Sequence, residues 1–233
     1  MPPPPSHPLL NDVLDGLRAT GTPAHRAVMA RFAIPTDKAF GVSVAVLRQQ
    51  AKRLGPNHDL ALALWGSGWL EARLLACFID EPARVGVAQM DRWCRDFDNW
   101  AVCDTACFAL FDHTPAAWSR LEPWARLQPE LSKRAAFAML WCLSVHDKQT
   151  DDSAFVAGLQ LVERHAGDAR HFVKKAVNMA LRAVGKRNAA LHAEALAVAQ
   201  RLAASTNTSA RWVGKHALRE LNSAAVKARI ERR

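Results

Sequence analysis

Apolar residues recur three and four positions apart along almost the whole chain, and no Val/Ile/Thr-rich run alternates in the manner of a strand. The pattern predicts an all-α protein. Helices are expected over 8–20, 23–33, 43–54, 58–67, 70–80, 83–95, 99–112, 115–127, 130–145, 152–166, 170–187, 189–204 and 208–221. Breakers mark several joints, among them Gly21-Thr22-Pro23, Gly55-Pro56-Asn57, Glu81-Pro82, Thr114-Pro115 and Gly167-Asp168. The links are short, so consecutive helices should pack as antiparallel pairs. From about residue 58 the pairs recur every 30–40 residues, which favours a degenerate α-solenoid of HEAT-like helix pairs over a closed bundle.

Three of these helices depart from an ordinary amphipathic pattern. In residues 99–111, Asp104 is the only charge, and helical spacing puts it on one face with Trp100, Cys107, Phe108 and Phe111. A carboxylate in such surroundings requires a cation. Residues 131–145 carry two charges, Lys133 and Arg134, in a helix apolar nearly all round, which predicts a central position. Arg134 shares a face with Phe137, Ala138 and Trp141. Two readings follow: a structural Arg134–Asp104 ion pair, or a carboxylate and a guanidinium lining one cleft. In helix 170–187, Val173, Val177, Leu181 and Val184 form the apolar stripe, while Lys175, Met179, Arg182 and Lys186 run along the opposite side. Met179 is there either as an isolated exposed side chain or as an apolar contact for a ligand between flanking cations.

Charge sharpens this picture. The formal net charge is +9, but residues 170–233 hold 14 Lys/Arg against 3 Asp/Glu, and residues 1–169 hold 17 against 19. Such asymmetry points to a polyanion, nucleic acid before an anionic membrane surface. The apolar runs are too short to span a bilayer, and the Pro-rich start lacks the form of a signal peptide. A cytoplasmic protein is expected, with residues 1–7 as a disordered Pro-rich arm and 8–233 as a single helical-repeat domain. The five cysteines show no CxxC; Cys103 and Cys107, one turn apart, read as packed thiols rather than metal ligands. No metal or other cofactor is expected.

Segments FGVSVAVLR (40–48), LWGSGWLEARLLA (64–76), DNWAVCD (98–104), KRAAFAML (133–140), FVKKAVNMALRAVGKRN (172–188) and ARWV (210–213) resemble, in order and spacing, the HEAT-like DNA alkylation repair proteins of the AlkD type. The resemblance runs from about His25 to Leu221. It implies a curved stack of helical repeats with a concave basic face for duplex DNA, and a glycosylase that releases cationic N3- or N7-alkylated purines. It also implies catalytic roles for Trp100, Asp104 and Arg134. A second Trp usually completes the family's cleft, and its position here is Met179.

An alkylated purine leaves as a neutral base, so no general acid is needed and one carboxylate can serve where most glycosidases use two. In this reading Asp104 stabilises charge developing on the sugar, Trp100 offers its ring face, and Arg134 holds a phosphate. The candidate DNA contacts are Lys133, Lys174, Lys175, Met179, Arg182, Lys186, Arg187, Arg211 and Lys215. The expected partner is double-stranded DNA with alkylated purines, bound by a monomer. Two alternatives stand beside the enzyme: a non-catalytic HEAT-repeat protein that binds damaged or branched DNA, and a protein-interaction scaffold.

Overall fold

Asparagine and hydroxyl side chains start many of the helices. Thr22, Ser43, Asn57, Asn99, Asn188, Asn207 and Ser223 each accept a backbone N–H of the first turn that would otherwise lack a partner. The computed structural model describes residues 7–232, and residues 1–6 of the expected Pro-rich arm lie outside them. The described residues are helical with no strand, as the periodicity predicts. They divide into two compact units that meet in sequence between Pro115 and Ala116.

The first unit contains α1 (Leu10–Thr20), α2 (Pro23–Arg31), α3 (Val44–Leu54), α4 (His58–Gly66), α5 (Leu70–Ile79), α6 (Val87–Arg95) and α7 (Trp100–Ala109). Helix α5 is its centre and packs against α3, α4 and α7. Trp65 stacks flat on Trp93 with ring centroids 3.8 Å apart, joining α4 to α6. The same helices share a buried polar cluster, in which Asp80 meets His58 Nδ1 at 2.6 Å and accepts from Gln89 Nε2 at 2.7 Å. Burial pushes the Asp80 carboxyl above its ordinary range, against the hydrogen bonds from His58, the Glu81 N–H and Gln89.

Between α2 and α3 the chain is irregular, and one side chain holds its end in place. Glu71 of α5 is fully buried and accepts the backbone N–H groups of Phe40, Gly41 and Val42 at 2.9, 2.6 and 3.1 Å. Gly41 has φ +89°, and a Cβ there would lie 2.3 Å from the Thr22 carbonyl oxygen, so both conformation and space call for glycine.

The second unit contains α8 (Leu121–Ala125), α9 (Glu130–His146), α10 (Asp152–His165), α11 (His171–Val184), α12 (Ala189–Ala203), α13 (Thr208–Leu221) and α14 (Ala224–Glu231). Neighbours in sequence pair as α8 with α9, α10 with α11 and α12 with α13. Alternate helices also stack, α9 on α11 on α13 and α10 on α12, so the pairs form two layers. At Gly214 a Cβ would lie 2.2 Å from the backbone nitrogen of Ala203, which shows how closely α13 approaches α12. Helix α9 is central, as its all-round apolar sequence predicts, with Arg134 among its buried residues.

Several boundaries differ from the sequence pattern. The expected helix 99–112 ends at Ala109, and residues 111–113 form a 3-10 turn. Thr114 precedes Pro115, which disfavours helical backbone, and its hydroxyl bonds the Phe111 carbonyl at 2.7 Å. The expected helix 115–127 reduces to a 3-10 turn at 118–120 and the short α8, in a stretch with prolines at 115, 123 and 129. Helix α14 carries no evident stripe, because Val226 is its one buried residue. No described helix is long and apolar enough to cross a membrane.

Candidate functional site

Asn99 fixes the start of α7. Its side chain accepts the Val102 N–H at 2.9 Å, which makes Trp100 the first helical residue and puts Asp104 one turn below it. Trp100 and Asp104 are both half-buried, and Phe108 continues the same accessible stripe. Cys107 and Phe111, expected on this face, are instead fully buried. The buried stripe of α7 is Val102, Cys103, Ala106 and Cys107, and the small thiols allow that side to pack tightly. The Trp100 ring is oriented from outside its own helix: its indole N–H donates to the Phe32 carbonyl at 2.8 Å, at the end of α2. The five cysteines are all buried free thiols.

Arg134 belongs to the second unit. It is 6 % exposed, and its Nη1 donates to the Phe172 carbonyl in the first turn of α11 at 2.9 Å. The neighbouring Lys133 pairs with Asp168 at 3.0 Å, and Arg170 shares that carboxylate. The Arg170 hydrogen bond, with Lys133 beside it, holds the Asp168 carboxyl well below the usual carboxylate range.

The basic stripe of α11 meets α13 along its length. Lys174 and Lys175 stand over the Trp212 ring at 5.2 and 5.1 Å, and His216 lies against the same ring at 4.1 Å. One turn further along α13, Glu220 binds Arg182 at 2.5 Å and Lys186 at 2.7 Å. Burial alone would raise the Glu220 carboxyl; the hydrogen bond and charge of Lys186, with Arg182, outweigh it and lower its pKa. His216 is lowered by desolvation and by the charges of Arg219, Lys175 and Arg182. Met179 is half-buried and lies one turn from both Lys175 and Arg182.

The remaining candidates are placed differently. Arg187 donates to the Ser144 carbonyl near the end of α9 at 3.2 Å and to the Asp147 carbonyl, and it stacks 4.0 Å over Phe155. Arg211 donates to the Ser205 carbonyl at 3.0 Å, and Lys215 is exposed. Sequence reading missed Trp212 and Glu220 as partners of the stripe. The signal was faint: each occupies the helix two elements later, 34–38 residues from its partners.

The family model for DNA alkylation repair enzymes matches residues 13–221. The chain belongs to the DNA alkylation repair enzyme family. A solved structure with a TM-score of 0.76 and 19% identity covers 95% of each chain. That protein is described as one of a new family related to the HEAT-like repeat DNA glycosylases, with affinity for branched DNA structures. The likeness shows that this member of the repair family has the HEAT-like repeat fold. No curated protein matches the chain.

Glu220 sets up a direct test of the stripe. Glu220→Gln removes a negative charge that offsets Arg182 and Lys186, which makes this part of the stripe more positive. Duplex affinity should rise several-fold at low salt, and the slope of log K against log salt should steepen by about 0.9 for each phosphate engaged. Affinity measured across a salt series checks this. An unchanged slope would show that the stripe does not face DNA.

Proposed function

We propose that the chain is a DNA glycosylase that hydrolyses the N-glycosidic bond of cationic N3- or N7-alkylated purines in duplex DNA. The observation that carries this reading is the pairing of an indole and a carboxylate one turn apart on the accessible stripe of α7, with the indole fixed by the Phe32 carbonyl. The lesion supplies its own positive charge, so the leaving purine needs no proton. Asp104 stabilises the cation that develops on the deoxyribose as the bond to the base lengthens, and it orients the water that adds to that carbon and then loses its proton to the carboxylate and on to solvent. Trp100 presents its ring face to the cationic nucleotide, a contact worth about 0.5–2 kcal/mol. Arg134 holds a backbone phosphate, and the α11 and α13 stripe supplies further phosphate contacts.

The deciding experiment measures release of 7-methylguanine from methylated duplex DNA beside binding to intact duplex. Release supports the glycosylase. Binding without release supports the second reading, a repeat protein that recognises damaged or branched DNA. That reading is favoured by Met179, which stands where the family resemblance places a second Trp, and by the branched-DNA affinity of the structurally similar protein. Neither release nor binding would leave an interaction scaffold.

Met179→Trp separates the first two readings further. It adds a ring face beside Lys175 and Arg182, and single-turnover release should rise by up to about tenfold if roughly 1 kcal/mol of cation–π stabilisation is gained in the transition state. A thermal melt run alongside should stay close to wild type. A stable variant with no gain in rate would mean that position 179 does not contact the reacting nucleotide.

A further inference from the structure

A cleft of about 300 Å³ in the first unit lies between α1, α2 and the loop that precedes α3, remote in sequence from the α7 pair. Its walls combine two chemistries. Phe40 and Trp69 stack with centroids 4.2 Å apart and planes 16° from parallel, and both are half-buried. Arg18 and Arg26, both exposed, also line the cleft; the Arg18 guanidinium lies over the Phe40 ring, 5.6 Å from its centroid, and pairs with the exposed Asp15 at 2.5 Å. The aromatic wall is rigid, because the Phe40 backbone N–H is one of the three held by the buried Glu71 carboxylate. The cleft is also shaped closely, since a Cβ at Gly21 would lie 2.2 Å from the Phe40 carbonyl oxygen.

A rigid aromatic stack that opens beside two guanidinium groups matches one class of ligand above others: a flat heteroaromatic ring that carries phosphate. We infer that this cleft holds an unpaired nucleotide, with its base packed against the Trp69–Phe40 pair and its phosphate between Arg26 and Arg18, whose exposed pair with Asp15 is weak enough to exchange for it. A paired base has no free face to offer such a stack, so the site discriminates single-stranded DNA from intact duplex. This inference rests on the reading of the chain as a DNA-binding protein. It adds a second binding site of different specificity, suited to a flap, gap or branch.

The test uses a labelled oligothymidylate of about ten nucleotides, followed by anisotropy between about 50 and 200 mM salt. The same measurement on intact duplex serves as the reference. Arg18→Gln combined with Arg26→Gln should weaken oligothymidylate binding about five- to tenfold, with the slope of log K against log salt shallower by about 0.7 for each phosphate no longer neutralised. Duplex affinity should stay within about twofold. Trp69→Leu should weaken oligothymidylate binding by about tenfold, the scale of removing a single base–aromatic stack. If Trp69→Leu melts early, the arginine pair decides, since both side chains are exposed. Unchanged oligothymidylate affinity in the arginine variant would overturn the inference, and so would an equal loss on duplex. A wild-type protein that binds duplex but not oligothymidylate would overturn this site alone; one that binds neither would overturn the DNA-binding reading with it.

Discussion

Asp104→Asn is expected to cut release of 7-methylguanine by roughly a thousandfold and to leave duplex binding intact or slightly tighter. The magnitude follows from electrostatics. A carboxylate about 4 Å from a developing unit charge, at an effective dielectric near 20, contributes about 4 kcal/mol, and each 1.36 kcal/mol is tenfold in rate. Asparagine keeps the shape and removes the charge. Phosphate contacts are untouched, and loss of one negative charge at the DNA surface works in favour of binding. Single-turnover release and duplex affinity at one fixed salt concentration check both halves. A rate equal to wild type would remove Asp104 from the chemistry. A variant that fails to fold would instead support the structural reading, in which the carboxylate neutralises a buried cation.

Glu71→Ala should be strongly destabilising to the first unit. It leaves the N–H groups of Phe40, Gly41 and Val42 without their acceptor, and each buried orphan costs about 1–3 kcal/mol. A net loss of about 3–5 kcal/mol is expected, with a fall in Tm on the order of 10 °C. Glu71→Gln should fall between, because the amide keeps one acceptor oxygen and turns a donor towards donors. Circular dichroism melts of both variants check the order. A loss under about 1 kcal/mol in the alanine variant would show that water replaces the carboxylate without strain.

These two acids also show what a sequence discloses. Asp104 was conspicuous because α7 contains no other charge, and the Trp100 spacing followed from helical geometry alone. The identity of the accessible stripe was less legible: Cys107 lies within the angular reach of that face and is turned inward by packing, and Phe111 leaves the face because the helix ends at Ala109 and Leu110 is not helical. Glu71 gave no signal, since an acid in the first turn of a helix is ordinary. Its partners are backbone groups 29–31 residues upstream, and backbone donors leave no mark on side-chain pattern. Glu220 was hidden for a related reason: in a repeat stack, charge neutralisation crosses to the next helix but one rather than to i+4. The caps Asn57, Asn99 and Asn188, seen in the structure, fix helix starts within about one residue of the expected ones, while the proline-rich stretch 114–129 departs from the pattern.

The acceptor that steadies Trp100 is a main-chain oxygen, and this affects how the site responds to genetic variation. No replacement of the Phe32 side chain can delete that carbonyl, so a substitution scan through the end of α2 would register little at position 32 itself. Sensitivity moves to the next residue, where Ala33 sits at φ 55°. Glycine tolerates that conformation, and proline, whose ring fixes φ near −65°, does not. The orientation of the indole is thus inherited from the path of the backbone, and insertions, deletions or proline at this bend are the changes through which evolution could retune it.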